Sequence, residues 1–255
     1  MPVRLTRYLR TSVLLACAVG APIIAACGGG DDTAAGTGTP RGASANDSAA
    51  SPMLAMPVSR FAVSQDDLGI NFLVDIPATF NVTAEEYAKG ASFASPAEGA
   101  TALKQWGYIG GYETGYTPEG REKAVLNGAF YSKVETHLFK DEEGAKKAFA
   151  YFESRLKGTT GTQLASANPV GNQWAAFQRL SGKVPATAVN AVYHQYIFRR
   201  GNLVAVVLTY GAEGFMKIES ARELAAIIDE KALGRGNAVE PTPTSNYTPP
   251  ATRTK

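Results

Sequence analysis

His137 and His194 are the only two histidines in the 255-residue chain. Imidazole takes and gives protons near neutral pH, so acid–base, nucleophilic and zinc chemistry are looked for at these two first. In "SKVETHLF" His137 alternates with Lys133 and Glu135, which puts all three on the polar face of a strand and makes the histidine a bystander. His194 stands beside Tyr196 and Phe198 on a mostly apolar strand face, the setting of a hydrogen-bonded sheet histidine. The two share no close spacing and no His-Glu-x-x-His helix, so neither a metal nor a cofactor is expected.

Nucleophiles fare no better. "SRLK", Ser154 to Lys157, has the Ser-x-x-Lys spacing of penicillin-recognising enzymes, but it falls in the last turn of an amphipathic helix rather than at the start of a buried one. Asp141, Glu142 and Glu143 suit the positive end of a helix better than a ligand set. No Gly-x-Ser-x-Gly elbow, phosphate loop, dinucleotide fingerprint or calcium loop occurs. What remains is aromatic. Tyr108, Tyr112, Tyr116 and Tyr131 fall on neighbouring strands, with Trp106 and Trp174 nearby, and a row of exposed tyrosines could form a binding face for glycans or peptides. Tyrosine also simply fits strands, so core packing competes with that reading. Arg199 and Arg200 sit at a hairpin tip, where they could touch anionic headgroups or wall polymers.

The elements that must hold these residues are legible from caps and period. "SPAEGATALKQW" starts at Ser95 with Pro96 in the first turn and Glu98 closing a capping box. "DEEGAKKAFAYFESRLKG" starts at Asp141, and Ala145, Ala148, Phe149, Phe152 and Leu156 form its buried stripe. "SARELAAIIDEKALG" reads as a helix capped by Ser220 with Glu223. "AVYHQYIFRRGNLVAVVLTYG" is a hairpin about Gly201-Asn202, with Phe198 opposite Ala205, Tyr196 opposite Val207 and His194 opposite Thr209. "VLNGAFYSKVETHLF", "YIGGYETGYT", "QWAAFQRLSG" and "INFLVDIP" supply further strands. Runs of strands punctuated by single helices predict an α+β domain, an antiparallel sheet with about three helices packed mainly on one face.

The ends of the chain carry a different message. "MPVRLTRYLR" holds Arg4, Arg7 and Arg10 and no acid, and the apolar "TSVLLACAVGAPIIAA" after it is too short and broken for a spanning helix. The segment closes on Ile24-Ala25-Ala26-Cys27, which resembles the lipobox of bacterial lipoproteins. That resemblance implies cleavage before Cys27, lipidation of its thiol, and a chain held by two or three acyl groups, since one alone binds only marginally. Cys17 would leave with the leader, and the mature domain would have no free thiol. Losing three arginines takes the 25 basic residues to 22 against 23 acidic, so nucleic acid is not an expected partner.

The expected organisation is a signal peptide over residues 1–26, a lipidated terminus and flexible linker over 27–57, one domain over 58–236, and a Pro/Thr-rich disordered tail over 237–255. The linker would have a mean reach of roughly 30 Å, enough to lift the domain clear of headgroups. Within the domain, "WGYIGGY", "LFKDEEGAKKAF" and "FRRGNLVA" resemble a set of uncharacterised envelope lipoproteins of bacteria, and the element order is distantly similar to PsbP/Mog1-type domains. The resemblance implies a location on the extracytoplasmic face of a bacterial membrane and assigns no chemistry. Two functions follow as expectations: a non-catalytic domain that binds a small ligand or a protein, and an envelope hydrolase of unrecognised type.

Cys27→Ala should abolish incorporation of labelled palmitate into the chain and release it from the membrane fraction. Equal label in both proteins would remove the lipoprotein reading.

Overall fold

The computed structural model describes residues 50–68, 72–90, 92–120, 128–183 and 188–236. The lipobox with Cys27, most of the expected linker and the 237–255 tail lie outside these. In chain order the elements are a 3₁₀ turn Val58–Phe61, α1 Gln65–Leu68, β1 Phe72–Val82, α2 Ala84–Ala88, α3 Pro96–Gln105, β2 Tyr108–Pro118, β3 Ala129–Phe139, α4 Glu142–Lys157, β4 Thr162–Leu164, β5 Gln173–Lys183, β6 Asn190–Arg200, β7 Leu203–Ala212 and α5 Ile218–Ala232. The strands form one sheet in the order β1-β2-β3-β7-β6-β5-β4, antiparallel throughout. The β6–β7 register pairs Phe198 with Ala205, Tyr196 with Val207 and His194 with Thr209, as the hairpin reading expects.

Five α-helices rather than about three are present among the described residues, and they cover both faces of the sheet. On one face Tyr196, Phe198, Leu203, Ala205 and Val207 pack under Ala221, Leu224, Ala225 and Ile228 of α5. On the other, Ile197, Val204, Phe177 and Phe139 pack under Ala145, Ala148, Phe149 and Phe152 of α4, with Leu103 and Trp106 beside them. Successive strand residues point to opposite faces, so a strand buried on both must be apolar at every position. "LVAVVL" in β7 is such a run, and it argues against one-sided cover.

The helix starts explain themselves. Asp141 accepts from the Gly144 N–H at 2.8 Å, and Ser95 from the Glu98 N–H at 3.2 Å. Glu98 does not close the expected box; its carboxylate accepts from the Ala94 N–H and from the Tyr151 hydroxyl. α5 begins three residues before the predicted Ser220 cap position would allow, with Lys217 as N-cap and no side-chain cap at all.

The hairpin tip is bonded to helices on both faces of the sheet. Arg199 and Arg200 are 3% and 2% exposed, which overturns their reading as a surface contact. Arg200 forks onto Asp229 of α5, Nε to Oδ1 at 2.6 Å and Nη2 to Oδ2 at 2.7 Å. Arg199, pointing to the other face, meets Glu142 of α4 at 3.1 Å and donates to Gln173 at 2.6 Å. Residues 50–54, inside the 27–57 stretch expected to be a flexible linker, are instead bonded across this tip. The Ala50 carbonyl accepts from Arg200 and from Asn172, while Leu54 exchanges two bonds with the Asn202 side chain. Gly201 has φ +56°, and a Cβ there would stand 1.8 Å from the Pro52 carbonyl oxygen, so only glycine fits beneath the strap.

Asp229→Ala should lower unfolding free energy by roughly 3–5 kcal/mol, because it strands a buried guanidinium. Glu142→Gln, at a half-exposed pair, should cost less than about 1 kcal/mol. Denaturant melts check the contrast, and equal effects would contradict this account of the tip.

Candidate functional site

A cavity of about 590 Å³ opens between the α5 face of β4–β6 and the amino end of α5. That volume suits a small molecule, within the roughly 300–1,000 Å³ usual for ligand sites. Its sheet side is built by pairing. Gln163 on β4 faces Gln178 on β5, Gln178 faces His194 on β6, and Leu180 faces Val192. Its other wall is the loop from Glu213 to Lys217 and the first residues of α5, Ile218 and Glu219. The loop is held from below: the Met216 N–H donates to the Ala212 carbonyl at 3.0 Å, and Asn190 donates to the Glu213 carboxylate at 2.6 Å.

His194 lines this cavity and is 4% exposed. Its Nδ1 has no hydrogen-bond partner among the described residues. Nor does Oγ1 of Thr209, the residue directly opposite on β7, which is 1% exposed. Nε of Arg222, one helical turn beyond Ile218 and Glu219, is buried and unpartnered in the same way. Buried polar atoms are normally satisfied, so the unpartnered imidazole nitrogen on the cavity wall is the group a polar ligand could meet. Burial holds the His194 pKa below its ordinary value, and the Glu219 carboxylate opposes that only in part, leaving a neutral imidazole near pH 7. The α5 amino end adds backbone N–H groups that its N-cap side chain does not satisfy.

A second group of charges lies on the α4 face. Lys133 is 2.7 Å from Glu113 and 2.8 Å from Glu135, and His137 Nε2 is 3.5 Å from Glu135. His137 is fully buried, stacked on Tyr87 at 4.2 Å between ring centres, and its Nδ1 is 3.4 Å from the Tyr108 hydroxyl. Lys133, Glu135 and His137 do share one face, but that face is covered by Tyr87 of α2 and Phe152 of α4, so His137 is not on a solvent face. Burial would lower the Lys133 pKa, but the carboxylates of Glu135 and Glu113 outweigh it and hold the ammonium charged. Burial would likewise raise Glu135, and Lys133 with His137 overrides it downwards. Glu113 is pushed up, by burial first and then by Glu135. Each charge here answers a neighbour, which is the pattern of an internal ion network.

The four tyrosines do not form a row. Tyr112 and Tyr116 are buried on the α5 face, and the Tyr116 hydroxyl donates to the Val63 carbonyl. A bulge between Tyr108 and Gly110 flips Tyr108 to the α4 face, where it is half-buried against Phe139 and donates to the Val82 carbonyl. Tyr131 is half-buried on that same face, its hydroxyl raised to about 12 chiefly by burial. Trp106 is buried, and Trp174, stacked on Tyr196, keeps 36% of its surface. Ser154 is exposed, and Lys157 bonds Glu153 at 2.7 Å rather than the serine. Among the described residues no group of histidine, cysteine and carboxylate side chains has metal-site geometry, and no helix is long and apolar enough to cross a membrane.

No family model matches the chain, and no curated protein matches it. Among solved structures, the extracellular domain of PknH from Mycobacterium tuberculosis is similar to it with a TM-score of 0.39 and 10% sequence identity, over 72% of this chain and 100% of that one.

Because the folded-state pKa of His194 is depressed, its contribution to stability is complete above the unfolded value of 6.5 and is lost as pH falls below it. Thermal melts from about pH 7.5 to about 5.5 should therefore fall more steeply in the native chain than in His194→Gln. Parallel curves would place the imidazole in a solvated setting.

Proposed function

We propose that this chain is an extracytoplasmic lipoprotein, tethered through lipid on Cys27, whose domain captures a small polar molecule in the His194 cavity without turning it over. The observation that carries the capture reading is His194 Nδ1, buried and unpartnered among the described residues, on the wall of a recess of ligand size. The tether reading rests on the arginine-bearing leader and "IAAC".

Hydrolysis is the competing reading, and the cavity speaks to it. A hydrolase needs its nucleophile within hydrogen-bond reach of its base. The hydroxyl facing His194 across the strand pair is that of Thr209, and neither Thr209 Oγ1 nor His194 Nδ1 makes a hydrogen bond, so they do not bond each other. Binding asks only for unsatisfied groups, and these are at hand.

Thermal melts of the purified chain with millimolar free amino acids, monosaccharides and nucleosides test the proposal. At least one class should raise Tm saturably, as a ligand that binds only the folded state must. His194→Phe, which fills the cavity, should abolish the shift; Gln178→Trp blocks the mouth from an exposed position should the first variant melt early. No saturable shift with any class would overturn the capture reading.

A further inference from the structure

Where the strap crosses the hairpin tip, Pro52 and Leu54 are half-buried while Ser51, Met53 and Ala55 are exposed. Leu54 packs against the α5-side core, so the strap is anchored from within and its outward positions are free to be polar. Two exposed positions are methionines all the same, Met53 at 62% and Met56 at 49%. Met56 lies over β2, its Cε 3.3 Å from where a Gly110 Cβ would stand. The residue before Gly110 is Ile109, the extra residue of the β2 bulge, and it is 50% exposed. These three form an apolar row at the end of the sheet where β2 and β7 begin. Phe215, as exposed as Met53, stands alone against Gly128 beyond the far end of β7, roughly 30 Å off for a strand of 10 residues. Cations flank the row. Gly107, two residues before Ile109, accepts from the Lys140 N–H at 2.7 Å and donates to the Lys104 carbonyl at 3.2 Å. Both lysines are exposed and form no ion pair among the described residues. The acids that follow Lys140 are taken: Asp141 caps α4, Glu142 meets Arg199 and Lys146, and Glu143 meets Lys146. An exposed apolar row beside unpaired lysines is the make-up of a surface that sits in a bilayer interface.

We infer that this end of the domain docks on the membrane that holds it, with Met53, Met56 and Ile109 in the interface and Lys104 and Lys140 against anionic headgroups. This rests on the tether reading above and adds the face that the tether presents. The occupant follows from the chain itself. Residues 28–49 join Cys27 to the strap, and a linker of their length and Gly-, Ala- and Thr-rich composition has a mean reach of roughly 25 Å. A link that short gives an effective concentration of about millimolar. Three side chains are too few to hold a free domain on a bilayer, but they suffice for one already anchored beside it. The His194 cavity lies at the opposite end of the sheet, against the loop that follows β7, and stays clear of the bilayer in this pose.

Quenching by labelled lipid decides it. The chain purified from membranes, with a fluorophore on one introduced cysteine, is reconstituted into vesicles of phosphatidylcholine and phosphatidylglycerol with or without a lipid that carries a nitroxide near its headgroup. The label sits at Ala55→Cys on the strap or at Phe215→Cys at the far end, and flotation checks the anchor first. Emission at Ala55 should fall at least about twofold with the nitroxide lipid and emission at Phe215 should not, because an interfacial face sinks only about 5–10 Å. Met53→Ser, Met56→Ser and Ile109→Ser together should restore most of the lost emission. Met53→Ser alone, the most exposed of the three, should restore part of it if the triple variant melts early. Lys104→Gln with Lys140→Gln should restore part in the mixed vesicles and nothing in pure phosphatidylcholine. Flotation with an unquenched Ala55 label would overturn docking and leave the tether standing. Quenching that ignores the three serines would overturn the choice of face. Energy transfer between labelled copies that needs the apolar row, without quenching by lipid, would make the row a contact with a second copy and overturn docking as well. A chain that does not float removes the tether and this inference together.

Discussion

Two adjacent guanidinium groups tie the two long helices to the sheet. Arg199 and Arg200 are consecutive on β6, so their side chains must leave the sheet on opposite faces. Each therefore reaches a different helix: Arg200 takes the Asp229 carboxylate of α5, and Arg199 takes Glu142 in the first turn of α4. Taking charge out of water is costly, and here the cost is offset by geometry, a two-point fork on one side and a carboxylate with an amide on the other. The fork holds α5 in one place.

That placement explains where the cavity is. α5 is fixed toward its carboxyl end, by Asp229 and by Lys231, whose ammonium bonds the Ala62 carbonyl at 2.8 Å and Asp67 at 2.6 Å. Burial works against ionised Asp67, but Lys231 and the Ser64 bonds keep its pKa below the ordinary value, so the clasp is charged at neutral pH. The amino end of α5 has no such clasp and not even a side-chain cap. The recess containing His194 lies between that end of the helix and β4, β5 and β6. A tight end and an open end on one helix follow from where the charges sit.

Much of this was readable from the chain. The hairpin register, the Asp141 and Ser95 caps, the antiparallel α+β plan and the alternation of Lys133, Glu135 and His137 all come from short-range rules that the tertiary structure leaves intact. Two-sided burial was also written in "LVAVVL", where apolar residues stand at consecutive positions, but it yields only when absence of alternation is taken as a signal in itself. The tyrosine row failed on two counts: Tyr112 and Tyr116 are buried on the face that α5 covers, and the bulge before Gly110, which nothing in "YIGGY" announces, reverses the side of Tyr108. The cavity was illegible for a different reason. Its walls come from β4, β5, β6 and a loop after β7, and its defining property, an imidazole nitrogen left without a partner on the wall, exists only once the chain is folded. His194 and Thr209 could be paired from sequence; that neither finds a partner could not.

The strap over the hairpin has a mechanical consequence. Any pull on the chain upstream of Ala50 enters the domain through the bonds of Ala50 and Leu54 to Arg200, Asn172 and Asn202. The load arrives at the closed end of β6–β7, in the middle of the sheet, and not at β1, the edge strand that follows next in sequence. An edge strand pulled from its end unzips one bond at a time, whereas a clasp of several bonds resists as a unit and then gives way together. β1 and the turn before it stay slack until the strap tears, so a domain hung by its amino terminus is suspended from the central hairpin rather than from an edge.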